Sequence, residues 1–135
     1  MVKIAAVILE TKDGKFVLYL RDNKSNIPFP NYWDLFGGHV EEGESPQEAL
    51  RREVKEELGI ELGKFSLFKK YVVMRGDAYP NEKYIYQSIL DIPYEELRLG
   101  DEGEKLGLFS KEEIPSLKLA NILKDILLEY LASRE

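Results

Sequence analysis

The chain has 135 residues, 44% hydrophobic and 33% charged, with a net charge of −6, no cysteine and a single histidine, His39. These figures exclude disulfides, thiolate metal sites and cysteine nucleophiles, and with them multi-histidine zinc centres and most serine–histidine triads. The acidic balance argues against extended nucleic acid, which wants a basic face, but admits a small polyphosphate where divalent cations reverse the local sign. No apolar run approaches the roughly 18 residues needed to span a bilayer, and the stretch from Met1 meets Glu10 too soon for a signal peptide. The expectation is one cytoplasmic domain over residues 1–135, whose hydrolytic chemistry would run on carboxylates, metals and water.

Val2–Leu9 is apolar and β-branched, the pattern of a buried strand. Thr11-Lys12-Asp13-Gly14 supplies a turn, and Phe16–Leu20 returns as a second strand that ends at Arg21. Residues 22–32 carry asparagines, prolines and a serine, and read as a surface loop. Trp33–Val40 reads as a short strand broken at Gly37-Gly38. The next segment predicts a helix over Pro46–Leu58, with Ser45 as N-cap, Glu48 completing a capping box and Gly59 as the left-handed stop. Leu50, Val54 and Leu58 recur at helical spacing and make its core stripe. Phe65–Met74, Tyr84–Leu90 and Lys105–Phe109 read as further strands. Leu119, Ile122, Leu123, Ile126, Leu127 and Tyr130 have the spacing of a closing amphipathic helix. Strands flanked by helices at two separate points predict an α/β fold, an α/β/α sandwich.

The chemistry concentrates in residues 38–60. Glu53, Glu56 and Glu57 stand at i, i+3 and i+4, so they share one helix face, rotated away from the leucine–valine stripe. Like charges so close repel, and a bound cation offsets the repulsion; hard oxygen ligands select Mg²⁺ or Mn²⁺. The competing reading is a solvated acidic face in a chain with 18 glutamates. The flanks favour the site. Gly37-Gly38 lets the backbone approach a ligand and offers a carbonyl, Arg52 can orient Glu53 by paired hydrogen bonds, and Glu44 lies near enough to support that cluster.

Gly38-x5-Glu44-x7-Arg52-Glu53-Val54-x-Glu56-Glu57-x-Gly59-Ile60 matches the Nudix box at every specified position. The chain therefore resembles the Nudix hydrolases, of MutT-like type. The Gly-Gly pair, the strand tipped by Arg21 and the segment 106–114 extend the likeness beyond the box. The resemblance implies a mixed β-sheet between helices, with Glu53, Glu56, Glu57 and backbone near Gly38 as ligands for Mg²⁺, or Mn²⁺. It also implies an Arg52–Glu44 supporting pair and hydrolysis of a phosphoanhydride in a nucleoside diphosphate linked to a further group. The general base would be Glu53 or a glutamate on a later loop, Glu102 or Glu104, against the plainer reading of residues 99–105 as a solvated turn.

Arg21 is a candidate phosphate contact, and Trp33, with Phe29 and Tyr32, a candidate stacking platform for a base. Asn121, expected at the start of the closing helix, would read a base edge or face solvent; His39 is given no role. The preferred substrate is a nucleoside triphosphate, cleaved to monophosphate and pyrophosphate. Nucleotide sugars and dinucleoside polyphosphates are the alternatives, and a non-catalytic nucleotide sensor the alternative of another class. The intact box speaks against a sensor, as does the lack of an appended DNA-binding segment. The partners expected are a small nucleotide, no membrane, and a second copy of the chain, since dimers are common in the family.

Overall fold

The sheet is organised on β1 (Val2–Glu10), a strand whose side chains are buried on both sides. Ala5, Val7 and Leu9 enter one apolar layer, while Ala6 and Ile8 enter the other. A computed structural model describes residues 1–134. After β1 come β2 (Phe16–Leu20), β3 (Trp33–Asp34), β4 (Phe36–His39), α1 (Pro46–Leu58), β5 (Phe65–Val73), β6 (Asn81–Ile89), β7 (Lys105–Phe109) and α2 (Leu123–Ala132). The strands form one mixed sheet in the order β3-β2-β1-β6-β5, with β4 on β1 and β7 on β2. β1 and β6 run parallel along their whole length.

The other edge of β1 is shared by two strands. β4 pairs with its first half, Ile4 opposite His39 and Val7 opposite Phe36, and β2 pairs with its end, Leu9 opposite Val17. β2 and β4 therefore diverge from a common edge and open a fork in the sheet, and that fork positions the site.

α1 closes one face. Ser45 Oγ accepts the Glu48 N–H at 3.1 Å and Glu48 Oε1 accepts the Ser45 N–H at 2.9 Å, a reciprocal cap of the kind that stabilises by about 1 kcal/mol. Gly59 stops the helix at φ 69°. Ala49, Leu50, Val54 and Leu58 are buried against Val7, Leu9 and Phe36, so Glu53, Glu56 and Glu57 are left on the helix's other sides. α2 closes the opposite face through Ile126, Leu127 and Tyr130. Its end is pinned to β1 by Glu10, which is 2% exposed and accepts from Tyr130 Oη at 2.5 Å and Arg134 Nη1 at 2.6 Å. The α/β/α sandwich is thus the observed architecture. Among the described residues no helix is long and apolar enough to cross a membrane.

Two expectations are corrected. Gly37-Gly38 does not break a strand; both glycines lie inside β4, paired with Ala6 and Ala5, and the interruption falls at Leu35. The closing helix begins at Leu123, not near Leu119. Leu119 is buried by a bridge to Trp33 and Asn121 turns at φ 55°, so both lie ahead of the helix.

Candidate active site

Gly37 and Gly38 lie where β4 crosses α1, and both need to be glycine. A Cβ on Gly37, at φ 149°, would meet the Ala5 carbonyl oxygen at 2.2 Å. A Cβ on Gly38 would stand 2.5 Å from the Glu53 carboxyl carbon. The missing side chain is the space in which the Glu53 carboxylate rests against the strand. One residue earlier, the Gly37 N–H donates to Glu57 Oε1 at 2.9 Å.

Arg52 organises the near side. Its Nε and Nη2 donate to the two oxygens of Glu44 at 2.8 and 3.1 Å, its Nη1 donates to Glu53 Oε1 at 2.9 Å, and Nη2 reaches the His39 carbonyl at 3.0 Å. The expected Arg52–Glu44 pair is present and bidentate. The Arg52 hydrogen bonds hold the Glu44 carboxyl below its usual range. Glu41, on the loop before the helix, is a looser neighbour at 3.5 Å.

The far side comes from the loop before β7. Gly100 donates its N–H to the Glu57 carbonyl at 2.8 Å, and a Cβ there would stand 2.7 Å from the Glu56 carbonyl oxygen, so the loop docks directly on the end of α1. Glu53, Glu56, Glu57, Asp101 and Glu102 together line a cleft. Asp101 and Glu102 are exposed, as a solvated turn would have them, and they also line the acidic cleft. Glu104 does not; its carboxylate accepts the Asn23 N–H at 3.1 Å.

Burial pushes the Glu57 carboxyl up to about 9, with the charges of Glu53, Glu102 and Asp34 adding to it and the Gly37 N–H opposing. Burial also raises Glu53, against the pull of Arg52. Among the described residues no three acidic or histidine side chains are already drawn into a closed cage for an ion. The donor set nevertheless fits a divalent cation. It is all oxygen, it converges from two elements on the hollow left by Gly38, and a bound cation would offset the burial and the neighbouring charges that raise the Glu57 carboxyl.

Beyond Gly37 the fork between β4 and β2 holds a groove of about 180 Å³, with Arg21, Asp34, His39, Tyr79, Asn81 and Lys83 among its walls. Arg21 lines this groove, donating to Asp34 Oδ2 at 3.2 Å and to the Pro28 carbonyl at 3.0 Å. Burial raises the Asp34 carboxyl, with Arg21 pulling the other way. Asn121 lines the groove and accepts the Ala78 N–H on Oδ1 at 3.2 Å. His39, left without a role, stands at the rim with Nε2 2.7 Å from Tyr79 Oη.

Trp33 is a correction. Its register opposite Leu20 turns it to the α2 face, where its ring packs edge-on against Phe109 at 4.7 Å and covers Gly107. It is absent from the groove's walls, as are Phe29 and Tyr32, which pack on each other at 5.4 Å. The sequence does not single out Asn81 and Lys83, which the groove brings together with Tyr79. Asn81-Glu82-Lys83 is a polar run with no apolar alternation, so the sequence begins that strand at Tyr84 and leaves these residues outside it.

The NUDIX domain family model matches residues 1–130. The chain is 35% identical over 119 residues to an ADP-ribose pyrophosphatase of Methanocaldococcus jannaschii, covering 86% of this chain and 68% of that one. It is 44% identical over 61 residues to the CTP pyrophosphohydrolase of Escherichia coli, an alignment spanning 45% of this chain and less than half, 43%, of the relative. In fold it is similar to the MutT protein from Methanosarcina mazei Go1, with a TM-score of 0.79 at 21% identity over 99% of this chain and 95% of that one. A match from one end of the sheet to the other, over a box that keeps each of its carboxylates, makes the chain a member of the Nudix hydrolases, a family of pyrophosphohydrolases.

Proposed function

We propose that this chain, as one domain over residues 1–135, hydrolyses nucleoside triphosphates to nucleoside monophosphate and pyrophosphate with Mg²⁺ as cofactor, Mn²⁺ substituting. The observation that carries this reading is the pair of sites on either side of Gly37-Gly38: five carboxylates face one side and a groove the size of a single base opens on the other. A triphosphate laid across the two glycines spans both. The name of the Escherichia coli relative supports the same class of substrate.

Glu53, Glu56 and Glu57 and a carbonyl of Gly37 or Gly38 are the groups that would hold the cation. When bound, Mg²⁺ neutralises the phosphates and lowers the pKa of a water beside them. The rest falls to the protein. Arg52 aims Glu53 and opposes the rise that burial gives its carboxyl, and Arg21 donates to a phosphate oxygen. Of the candidate bases, Glu53 has one oxygen tied by Arg52, and Glu104 bonds to the Asn23 N–H. Glu102 therefore accepts the proton of the attacking water. The water oxygen bonds to phosphorus, the phosphoanhydride P–O bond breaks, and pyrophosphate leaves with its electron pair.

The test is incubation with Mg²⁺ and a panel of triphosphates, sugar nucleotides, ADP-ribose and dinucleoside polyphosphates, with products identified by mass. Monophosphate and pyrophosphate from triphosphates support the reading. The name of the Methanocaldococcus jannaschii relative favours the second reading, a nucleotide-sugar type of substrate, and turnover confined to ADP-ribose or sugar nucleotides would replace the first. Tight nucleotide binding without turnover would make the chain a sensor.

A further inference from the structure

We propose that Asn81 and Lys83 read the hydrogen-bonding edge of the substrate's base and select a lactam edge, a carbonyl beside a ring N–H, as in guanine, uracil and thymine. The inference rests on the nucleotide reading above. Its starting point is Asn81 Oδ1, the buried side-chain polar atom left without a partner among the described residues. Asn81 is 1% exposed and lines the groove. Its Nδ2 donates to Asp77 Oδ2 at 2.7 Å and to the Tyr79 carbonyl at 2.9 Å. Both partners are acceptors, which fixes the orientation of the amide and turns Oδ1 away from them. A buried acceptor is costly to leave unpaired, so the site wants a donor there.

Lys83 supplies the adjacent half. It lies two residues along the same face of β6, is 7% exposed, and places Nζ 2.6 Å from Asp77 Oδ2, the oxygen that also holds Asn81. Asp77 is itself fixed by the Ile122 N–H at 3.0 Å on its other oxygen. One anchored carboxylate thus holds both side chains at one wall of the groove, with Asp77 as the positioning residue. An ammonium keeps further N–H groups after pairing with Asp77, and a carbonyl oxygen with two lone pairs meets them better than a ring nitrogen with one. The groove's volume suits a single ring system, and the Tyr79 ring at its rim, 39% exposed, offers a face to it.

The test is equilibrium binding of monophosphates by calorimetry with Mg²⁺ present, so a chain that hydrolyses no triphosphate still answers it. GMP and UMP are expected to bind roughly tenfold or more tightly than AMP and CMP, and methylation of the ring N–H is expected to remove that advantage. Asn81→Leu is expected to abolish both the preference and the methylation penalty. Should that variant fail to fold, the methylated pair on the wild-type protein decides alone. Equal binding of the methylated and unmethylated bases, preference for AMP or CMP, or no binding of any monophosphate overturns the inference. Loss of the hydrolase reading is seen separately, as triphosphates left intact.

Discussion

The Gly37 backbone N–H donates to Glu57 Oε1 at 2.9 Å, so strand and helix are joined at the centre of the acidic cleft. Gly38, the next residue, leaves the hollow that Glu53 fills. Gly38→Ala would put a methyl group 2.5 Å from the Glu53 carboxyl carbon and force that side chain out. A displacement near 1 Å at a reacting centre costs on the order of a hundredfold in rate. The expected outcome is a fall of that order in kcat, with secondary structure by circular dichroism retained. Near-normal kcat would mean that Glu53 does not have to lie against the strand.

The raised Glu57 carboxyl makes stability depend on pH and on metal together. In the folded chain this group holds its proton up to about 9, against an ordinary value of 4.5. Its contribution is complete below the unfolded value and is lost as pH rises toward the folded one. In EDTA, the Tm is therefore expected to fall as pH is raised through the window from 4.5 to about 9. Mg²⁺ takes the place of the proton, so it should flatten this slope and release protons on binding. A thermal melt series with and without Mg²⁺ reads both effects; a Tm indifferent to Mg²⁺ at the alkaline end would remove the assignment of a cation to this cleft.

The helix of the site was legible because its determinants act within a few residues. Ser45, Glu48 and Gly59 set its ends locally, and the spacing of Glu53, Glu56 and Glu57 follows from helix geometry alone. What failed was decided at long range. Trp33 looks like a stacking residue until its pairing with Leu20 shows which face of the sheet it occupies. Gly37-Gly38 looks like a break because glycines weaken strands, yet here the close approach of Ala5 and Glu53 requires them. Asp77, Asn81 and Lys83 form a unit through the Asp77 carboxylate, whose other oxygen takes the Ile122 N–H, and no local pattern announces that contact. Glu102 and Glu104 are two residues apart and equivalent in sequence. Their separation into cleft and non-cleft depends on where the Gly100 and Glu104 N–H groups bond, at the carbonyls of Glu57 and Leu20.

Arg52 tests whether carboxylate orientation, not charge alone, matters. Its guanidinium bonds to both oxygens of Glu44 and to Glu53 and the His39 carbonyl, a fork that a lysine ammonium cannot reproduce. The side chain is 27% exposed, so solvent screens part of the ion-pair energy and the stability loss in Arg52→Lys is expected to be about 1 kcal/mol. The loss in rate should be larger, roughly tenfold to a hundredfold, and should appear in kcat. An effect confined to KM would place Arg52 in substrate binding.

Glu102→Gln and Glu104→Gln form the sharpest pair, since the substitutions are identical and only the geometry differs. Glu102 lines the cleft with Glu53, Glu56 and Glu57, whereas Glu104 is bonded to the Asn23 N–H. Removing a general base costs about 10² to 10⁴ in rate. Glu102→Gln is expected to lose kcat in that range, and excess Mg²⁺ is expected not to restore it. Glu104→Gln should keep nearly full activity, its effect limited to the loop it tethers. Glu57→Gln provides the reference for a ligand: kcat falls by orders of magnitude and excess Mg²⁺ restores part of it. If Glu102→Gln is rescued by Mg²⁺ in the same way, Glu102 is a ligand and the proton goes elsewhere, with Glu53 the remaining acceptor at the cleft.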